Sequence, residues 1–373
     1  MKCGVLKESI NENMVALIPD SIPLLKKAGL QVYIEKGAGE KSFFKDEIYI
    51  KNGGEITNRE KIYEECDIIL CVRKPDDLNL LRENQIIIGM LDPFKNFEEI
   101  RKIIKNKANL FSLELLPRIT RAQSMDVLSS MAMIAGYKAV LIAANFLPKM
   151  FPMSMTAAGT ITPAKVFVIG AGVAGLTAIA TSKRLGATVY AYDIRPKVKE
   201  EVESIGGKFV EIGLEVKEAE DKSGYAKKMD EEFYKRQREM LKKMVIESDV
   251  IITTAAVPGK KAPILITEDM VKEMKEGSVI VDLAASTGGN CELTEIGKIV
   301  KKYGIVIIGE TDIPSKVPYH ASQMYSRNIT NFVLNLLKDG KLNINLEDEI
   351  IRDTLLVKDG EFYSPRFKEI MNI

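Results

Sequence analysis

The stretch Ala164–Arg195, AKVFVIGAGVAGLTAIATSKRLGATVYAYDIR, constrains this chain more than any other. An apolar run from Lys165 to Ile169 meets Gly170-Ala171-Gly172-Val173-Ala174-Gly175. A helical pattern follows from Leu176 to Leu185, and a second apolar run ends at Asp193. Strand, glycine turn, helix, strand and acidic residue, in that order, make the dinucleotide-binding fingerprint. Gly170 permits a tight turn, Gly172 admits the backbone to a pyrophosphate, and Gly175 lets the helix lie close on the strand. The free amides at the helix start face the phosphate charge. A glycine triplet alone is weak, because glycine turns are common; the bland alternative is a merely structural turn. The flanking strands and Asp193 make the signal specific.

Asp193 stands where a carboxylate accepts hydrogen bonds from the adenosine ribose hydroxyls and repels a 2′-phosphate, which favours NAD over NADP. Arg195 pulls the other way, since an arginine nearby accepts that phosphate. The acidic residue is the stronger discriminator.

The rest of the chain reads as alternating strands and helices. Lys2–Lys7, Gln31–Glu35, Asp67–Val72, Ile86–Met90 and Leu110–Leu113 are strand-like, with helices at Asp20–Ala28, capped by Asp20 or Ser21, and Asn96–Lys105. Met125–Phe146 is a long helix broken only by Gly136 and ended by Pro148 and Pro152. Further strands fall at Lys208–Ile212, Val250–Thr254, Ser278–Leu283 and Ile305–Gly309, then a helix at Ser326–Leu337. Alternation of this kind implies parallel sheets covered on both faces. At 373 residues, one core is too few. The expected fold is α/β: two Rossmann-like, doubly wound parallel-sheet domains linked by long helices, with the cofactor in the interdomain cleft. The boundaries are residues 1–128 with 325–373 for one domain and 129–324 for the other.

Composition narrows the function. A net charge of +1 gives no electrostatic reason to expect nucleic acid or an anionic membrane as partner. No apolar run is expected to span a bilayer. MKCGVLKESI lacks the apolar core of a signal peptide, which favours the cytoplasm. The four cysteines, Cys3, Cys66, Cys71 and Cys291, form no CxxC, so they read as buried small apolar residues rather than zinc ligands or a redox pair.

Two further stretches carry candidate chemistry. Leu116–Ser129, LPRITRAQSMDVLS, gathers a guanidinium, an amide, a carboxylate and hydroxyls. Locally it reads as a helix start with Ser124 as N-cap and Asp126 in the first turn. It also reads as a polar cradle for a nicotinamide, whose carboxamide needs a partner that both donates and accepts, such as Gln123. Glu215–Lys228 is a charged segment with Gly224-Tyr225 at its middle: either a solvated surface loop or one long enough to close over a site.

A dehydrogenase acting on a carbonyl or imine moves a proton with the hydride and carries an acid or base beside the substrate. His320 is the only histidine and reads as solvent-facing in a surface loop. Lys74 and Asp92 are alternatives without a stronger local claim. Transfer between two nicotinamide rings needs no such group, only the two C4 atoms about 3–3.5 Å apart with water excluded.

At these residues the sequence resembles the soluble NAD(H)-binding alpha-subunit component of proton-translocating NAD(P) transhydrogenase. The likeness runs through KCGVLKES, ENMVALIP, EKGAG, PRITRAQSMDVLSSMAMIAGY, VIGAGVAGL, YDIRP, SGYAKKM, ITTAAVPGKKAPILIT, GSVIVDLAASTGGNCE and TDIPSKVP. RAQSMDVLSS and GYAK are specific to that family; the rest is shared with alanine dehydrogenase, which has the same two-domain fold. The resemblance implies cofactor contacts along Arg118, Ile119, Thr120, Gln123, Ser124, Met125 and Asp126. Arg118, Gln123, Asp126, Ser129 and Tyr225 then lie nearest the reaction. It implies a pyrophosphate turn at Gly170, Ala171, Gly172, Val173 and Gly175, and ribose contacts at Asp193, Ile194 and Arg195. A mobile loop falls at Gly224 and Tyr225, with further contacts near Gln237 and Ala256. It also implies a homodimer, an NADP(H)-binding partner, and a transmembrane partner on a separate polypeptide that holds this chain at the inner face of the cell membrane. Two departures count against alanine dehydrogenase: Met14 replaces the arginine usual in ENxVA, and MLDPF carries Asp92 where that enzyme has its proton-transfer histidine. An amino-acid dehydrogenase and a non-catalytic NAD(H) sensor remain the competing readings.

Overall fold

The computed structural model describes residues 1–211, 231–256 and 259–373. The chain divides into two compact units, residues 1–131 with 314–373, and residues 132–313.

The first unit is built on six parallel strands: β1 (Lys2–Val5), β2 (Gln31–Glu35), β3 (Glu55–Thr57), β4 (Ile68–Arg73), β5 (Ile86–Met90) and β6 (Asn109–Ser112). Their order is β3-β2-β1-β4-β5-β6, extended beyond β6 by the antiparallel strands Leu355–Lys358 and Glu361–Phe362. The strand interiors are continuously buried in β4, β5 and β6, as expected of a sheet covered on both faces.

The second unit opens with an exposed hairpin, β7 (Ser154–Thr156) and β8 (Gly159–Ile161). Its sheet comprises β9 (Lys165–Ile169), β10 (Thr188–Tyr192), β11 (Lys208–Phe209), β12 (Val250–Thr253), β13 (Val279–Asp282), β14 (Ile299–Lys302) and β15 (Ile305–Ile308). The order is β11-β10-β9-β12-β13-β15-β14, parallel except for β14. The α/β class and the doubly wound parallel sheets are as expected. β14 and the hairpin are additions: the half-exposed β14 and the exposed hairpin lack the buried apolar run that marks the central strands.

Some local expectations are corrected. The long helix spans Val127–Phe146 and, at 20 residues, is long and apolar enough to cross a membrane by length and composition. The expectation that no run reaches that length was wrong. Packing accounts for its apolar character: Ala139, Val140 and Ala143 are fully buried in the second unit's core. At Gly136 an added Cβ would sit 2.1 Å from the Ala174 carbonyl oxygen, so this glycine permits close helix packing rather than interrupting the helix. The last long helix begins at Pro318, not Ser326, because Pro at the first turn suits a helix start. His320 therefore lies on a helix, exposed, edge-on to Tyr319. Neither Asp20 nor Ser21 caps the first helix, and Ser21 instead bonds Ser326 Oγ at 2.8 Å. All four cysteines are buried and unpaired, and burial pushes the Cys66 and Cys291 thiols up to about 12.

Candidate functional site

Register brings the candidate residues of the second unit to one edge. Ile169 pairs with Tyr192 and with Thr253, and Thr253 pairs with Asp282. Four neighbouring strands thus end level, and Gly170, Asp193, Thr254 and Leu283 leave the sheet together. The strand order reverses here, between β9 and β12, and a crevice outside such strand ends is where ligands bind in open parallel sheets.

Each fingerprint glycine meets a different constraint. Gly170 has φ +99, and a Cβ there would lie 2.4 Å from Thr254 Oγ1, which donates to the Gly170 carbonyl at 3.0 Å. A Cβ on Gly175 would lie 1.9 Å from that same carbonyl oxygen. Around Gly172 no described atom would come within 4 Å of a Cβ. Two glycines therefore serve packing and one faces open space, as a backbone that receives a ligand must. The helix Val173–Arg184 starts at once, three residues earlier than its apolar pattern indicates, and no described side chain caps it at Gly172. Its first amides thus point outward without an internal partner, a ready anion site. Ala171 departs from the expected turn: its N–H donates to Asp193 Oδ2 at 2.7 Å.

Asp193 is 8% exposed and fully engaged. Oδ1 accepts from the Arg195 backbone N–H and from Arg195 Nε, each at 2.9 Å, while Oδ2 accepts from Ala171 and from Arg195 Nη2 at 2.9 Å. A carboxylate has about four acceptor positions, and all four are taken here by the chain itself. The expected contest between Asp193 and Arg195 is in fact an ion pair, so Asp193 does not present a bare charge. Ile194 is half-buried between them. Behind this pair lies Gln237, 3% exposed, whose Nε2 donates to the Tyr192 hydroxyl at 2.8 Å. Its Oε1 is buried with no hydrogen-bond partner among the described residues. Burial raises the Tyr192 hydroxyl to about 12, so it remains protonated. Ala256 is exposed just past β12. Gly224 and Tyr225 lie outside the described residues.

In the first unit, Thr120–Met125 forms a 3-10 turn leading into the long helix. Arg118, Thr120, Gln123 and Ser124 are exposed, Ile119 is half-buried, and Met125 is buried. Ser124 does not cap the helix as expected. Asp126 does: Oδ1 accepts the Ser129 N–H at 2.9 Å and Oδ2 accepts Ser129 Oγ at 2.6 Å. The Ser124 carbonyl instead receives the amides of Asn328 and Asn331 at 2.9 and 3.1 Å. Arg121 forms a bidentate pair with Asp348. The segment is thus fastened from below, and Gln123 is left on its exposed side.

The proposed proton carriers fare unequally. Lys74 Nζ pairs with Glu99 at 2.8 Å, and Asp92 sits at φ +46 with Lys95 3.2 Å away. Glu8, which carries no sequence signal, is the one with altered chemistry. Burial pushes its carboxyl up to about 7, although the Val72 and Arg73 amides, donating at 2.6 and 3.1 Å, pull it back down. Met14 is 1% exposed, so it fills the interior where a guanidinium would reach out.

A buried network also escaped the sequence. Asp282, fully buried, accepts from Thr253 Oγ1, Thr294 Oγ1 and the backbone amides of Ala284, Asn290 and Cys291, at 2.7–3.1 Å. No motif announces it, because it acts through backbone groups distant in sequence.

Comparison with known proteins agrees with this geometry. A family model described as alanine dehydrogenase/PNT, N-terminal domain, matches residues 4–135, and its C-terminal counterpart matches residues 139–365. The chain is 44% identical over 377 residues to the first of the polypeptides that make up the NAD(P) transhydrogenase alpha subunit of Rhodospirillum rubrum, covering 98% of each. It is 28% identical over 385 residues to alanine dehydrogenase of Staphylococcus saprophyticus, covering 100% of this chain and 97% of that one. The solved structure of a transhydrogenase from Sinorhizobium meliloti matches with a TM-score of 0.85 and 38% identity, covering 98% of this chain and 99% of that one. The chain belongs to the alanine dehydrogenase/PNT family, and within it is similar to transhydrogenase alpha subunits over nearly its whole length.

Proposed function

We propose that this chain is the NAD(H)-binding component of a transhydrogenase, delivering hydride to NADP⁺ held on a separate partner. A membrane component would couple that step to proton movement and hold the chain at the inner face of the membrane; a homodimer is the expected form. The observation that carries the reading is the uncapped turn at Gly172, open to a ligand, in a chain whose likeness to transhydrogenase alpha subunits is nearly full-length.

The residues present fit a dinucleotide. Amides from Gly172 onward would take the pyrophosphate, as helix N-termini take anions. Asp193 would take the ribose hydroxyls, with Arg195 yielding one of its positions. Gln237 Oε1, buried without a described partner, is an acceptor that a ligand donor would satisfy. Gln123, exposed on its fastened turn, suits a carboxamide that both donates and accepts. Arg118 and the Asp126–Ser129 pair would flank it. When bound, NADH supplies a hydride at its nicotinamide. Asp126 has both oxygens engaged by Ser129, which suits a segment that positions a ring rather than moves a proton. The purified chain should bind NADH yet reduce NADP⁺ only when an NADP(H)-binding component is added. Steady NADH oxidation by a small keto acid and ammonia without a partner would overturn this.

One observation favours a second reading, an alanine dehydrogenase-type enzyme: Glu8 titrates near neutrality at the carboxyl edge of the first sheet. Against it stand buried Met14 and the Lys74–Glu99 pair. A screen with alanine and NAD⁺ separates the two.

A further inference from the structure

Asn290 is fully buried in the second unit, and every polar group it owns is spent on the segment that follows β12. Its side chain grips Ala255 at both ends: Oδ1 accepts the Ala255 N–H at 3.0 Å, and Nδ2 donates to the Ala255 carbonyl at 2.8 Å. The second hydrogen of Nδ2 goes to the Pro263 carbonyl at 2.8 Å. Its own carbonyl accepts from Leu265 and Ile266 at 2.8 and 3.0 Å, and its N–H is held by Asp282 at 2.8 Å. A side-chain amide that pairs with one residue's N–H and C=O together imitates a neighbouring strand. It extends pairing one residue beyond the end of β12, up to the residue before Ala256.

Asn290 itself is fixed by an anchor that spans two strands. Asp282 ends β13, and Thr253, which ends β12, donates to it through Oγ1 at 2.9 Å. The exits of β12 and β13 and the chain around Ala255 are therefore one hydrogen-bonded unit. In a sheet of this order, β9, β10 and β11 form one mononucleotide-binding half, and β12, β13 and β15 the other. Asp193 and the glycine turn belong to the first half, whereas everything Asn290 fastens belongs to the second.

We infer that Asn290 is a positioning residue for the nicotinamide mononucleotide half of the site, holding Ala255 and thereby Ala256 where they meet the cofactor. This rests on the dinucleotide reading above. Asn290 touches no ligand in this account; it acts through the backbone of Ala255. Glutamine is too long for the same grip and aspartate lacks both donors, so the requirement is for asparagine itself.

The test compares two probes on Asn290→Asp and Asn290→Ser: NADH, which spans both halves, and 5′-AMP, which engages only the first. Losing the buried bonds to Ala255 and Pro263 should weaken NADH binding about tenfold or more in either variant. Binding of 5′-AMP should stay within about twofold of wild type, because its contacts are distant from the change. Retained 5′-AMP binding also certifies the fold of whichever variant is used, and the smaller serine serves if the buried carboxylate is not accepted. Unchanged NADH affinity, or equal losses for both probes, would overturn the inference. A wild-type chain that binds 5′-AMP but not NADH would instead overturn the dinucleotide reading itself.

Discussion

The two units share a strand order, 3-2-1-4-5-6, yet treat the point where it reverses in opposite ways. In the second unit, β9 passes through a glycine turn directly into a helix whose first amides are left uncapped. In the first, β1 is followed by an extended segment, and Glu8 crosses to the end of β4 to accept the amides of Val72 and Arg73. Glu12, 3% exposed, then pairs with Arg73 Nε at 3.1 Å. The first unit thus occupies its own crevice with carboxylates, while the second directs unpaired donors outward. Topology offers a ligand site, but the few residues after the first strand decide whether it is open. That teaches where to look in a doubly wound sheet: at what satisfies the amides beside the reversal, before any motif.

The sharpest way to break this contrast is to separate the glycines. Gly175→Ala forces a Cβ to within 1.9 Å of a backbone oxygen that cannot move without the turn. It should cost about 3 kcal/mol or more of stability in chemical denaturation and abolish NADH binding. Gly172→Ala adds a methyl to open space, so stability should hold while NADH affinity falls about a hundredfold, since a bound pyrophosphate would have to yield to it. If Gly172→Ala bound NADH normally, the opening would not be the phosphate site.

Glu8 tests the closed crevice. Its folded pKa lies above the ordinary carboxyl value of 4.5, at about 7. The protonated form is favoured in the folded state, so its stabilisation is present below 4.5 and lost as pH rises towards 7. Wild type should be about 2 kcal/mol less stable at pH 8 than at pH 5 through this group, and Glu8→Gln should flatten that difference. Urea unfolding at the two pH values measures it. An unchanged pH dependence would mean the crevice is not sealed by a proton-holding carboxyl.

The smallest effect concerns cofactor choice. Arg195 neutralises Asp193. Removing it in Arg195→Ala should bare the carboxylate and raise the preference for NADH over NADPH by about tenfold, read as a ratio of dissociation constants. A falling ratio would assign the discrimination to another group.

Much of the second unit was legible because backbone geometry demands particular residues. The spans Lys165–Ile169, Gln31–Glu35 and Ile86–Met90 were read to the residue, since buried parallel strands are continuous apolar runs. Gly170, Gly172 and Gly175 announce a turn that other residues resist. Asn290 and Glu8 were illegible for the converse reason. Both act on backbone amides 35 and 64 residues away, which any residue type supplies, so nothing local marks the pairing. The Asp193–Arg195 pair was visible as two residues but not as one unit, because pairing depends on a rotamer rather than on spacing. Asp126 displaced Ser124 as helix cap for a similar reason: the helix begins at Val127, and only the residue immediately before it can cap.

A calorimetric titration of the chain with NADH tests the contrast between the units most directly. The account predicts one site per chain, lost in Gly172→Ala while the fold persists. Two sites per chain, or one that survives that substitution unchanged, would contradict it.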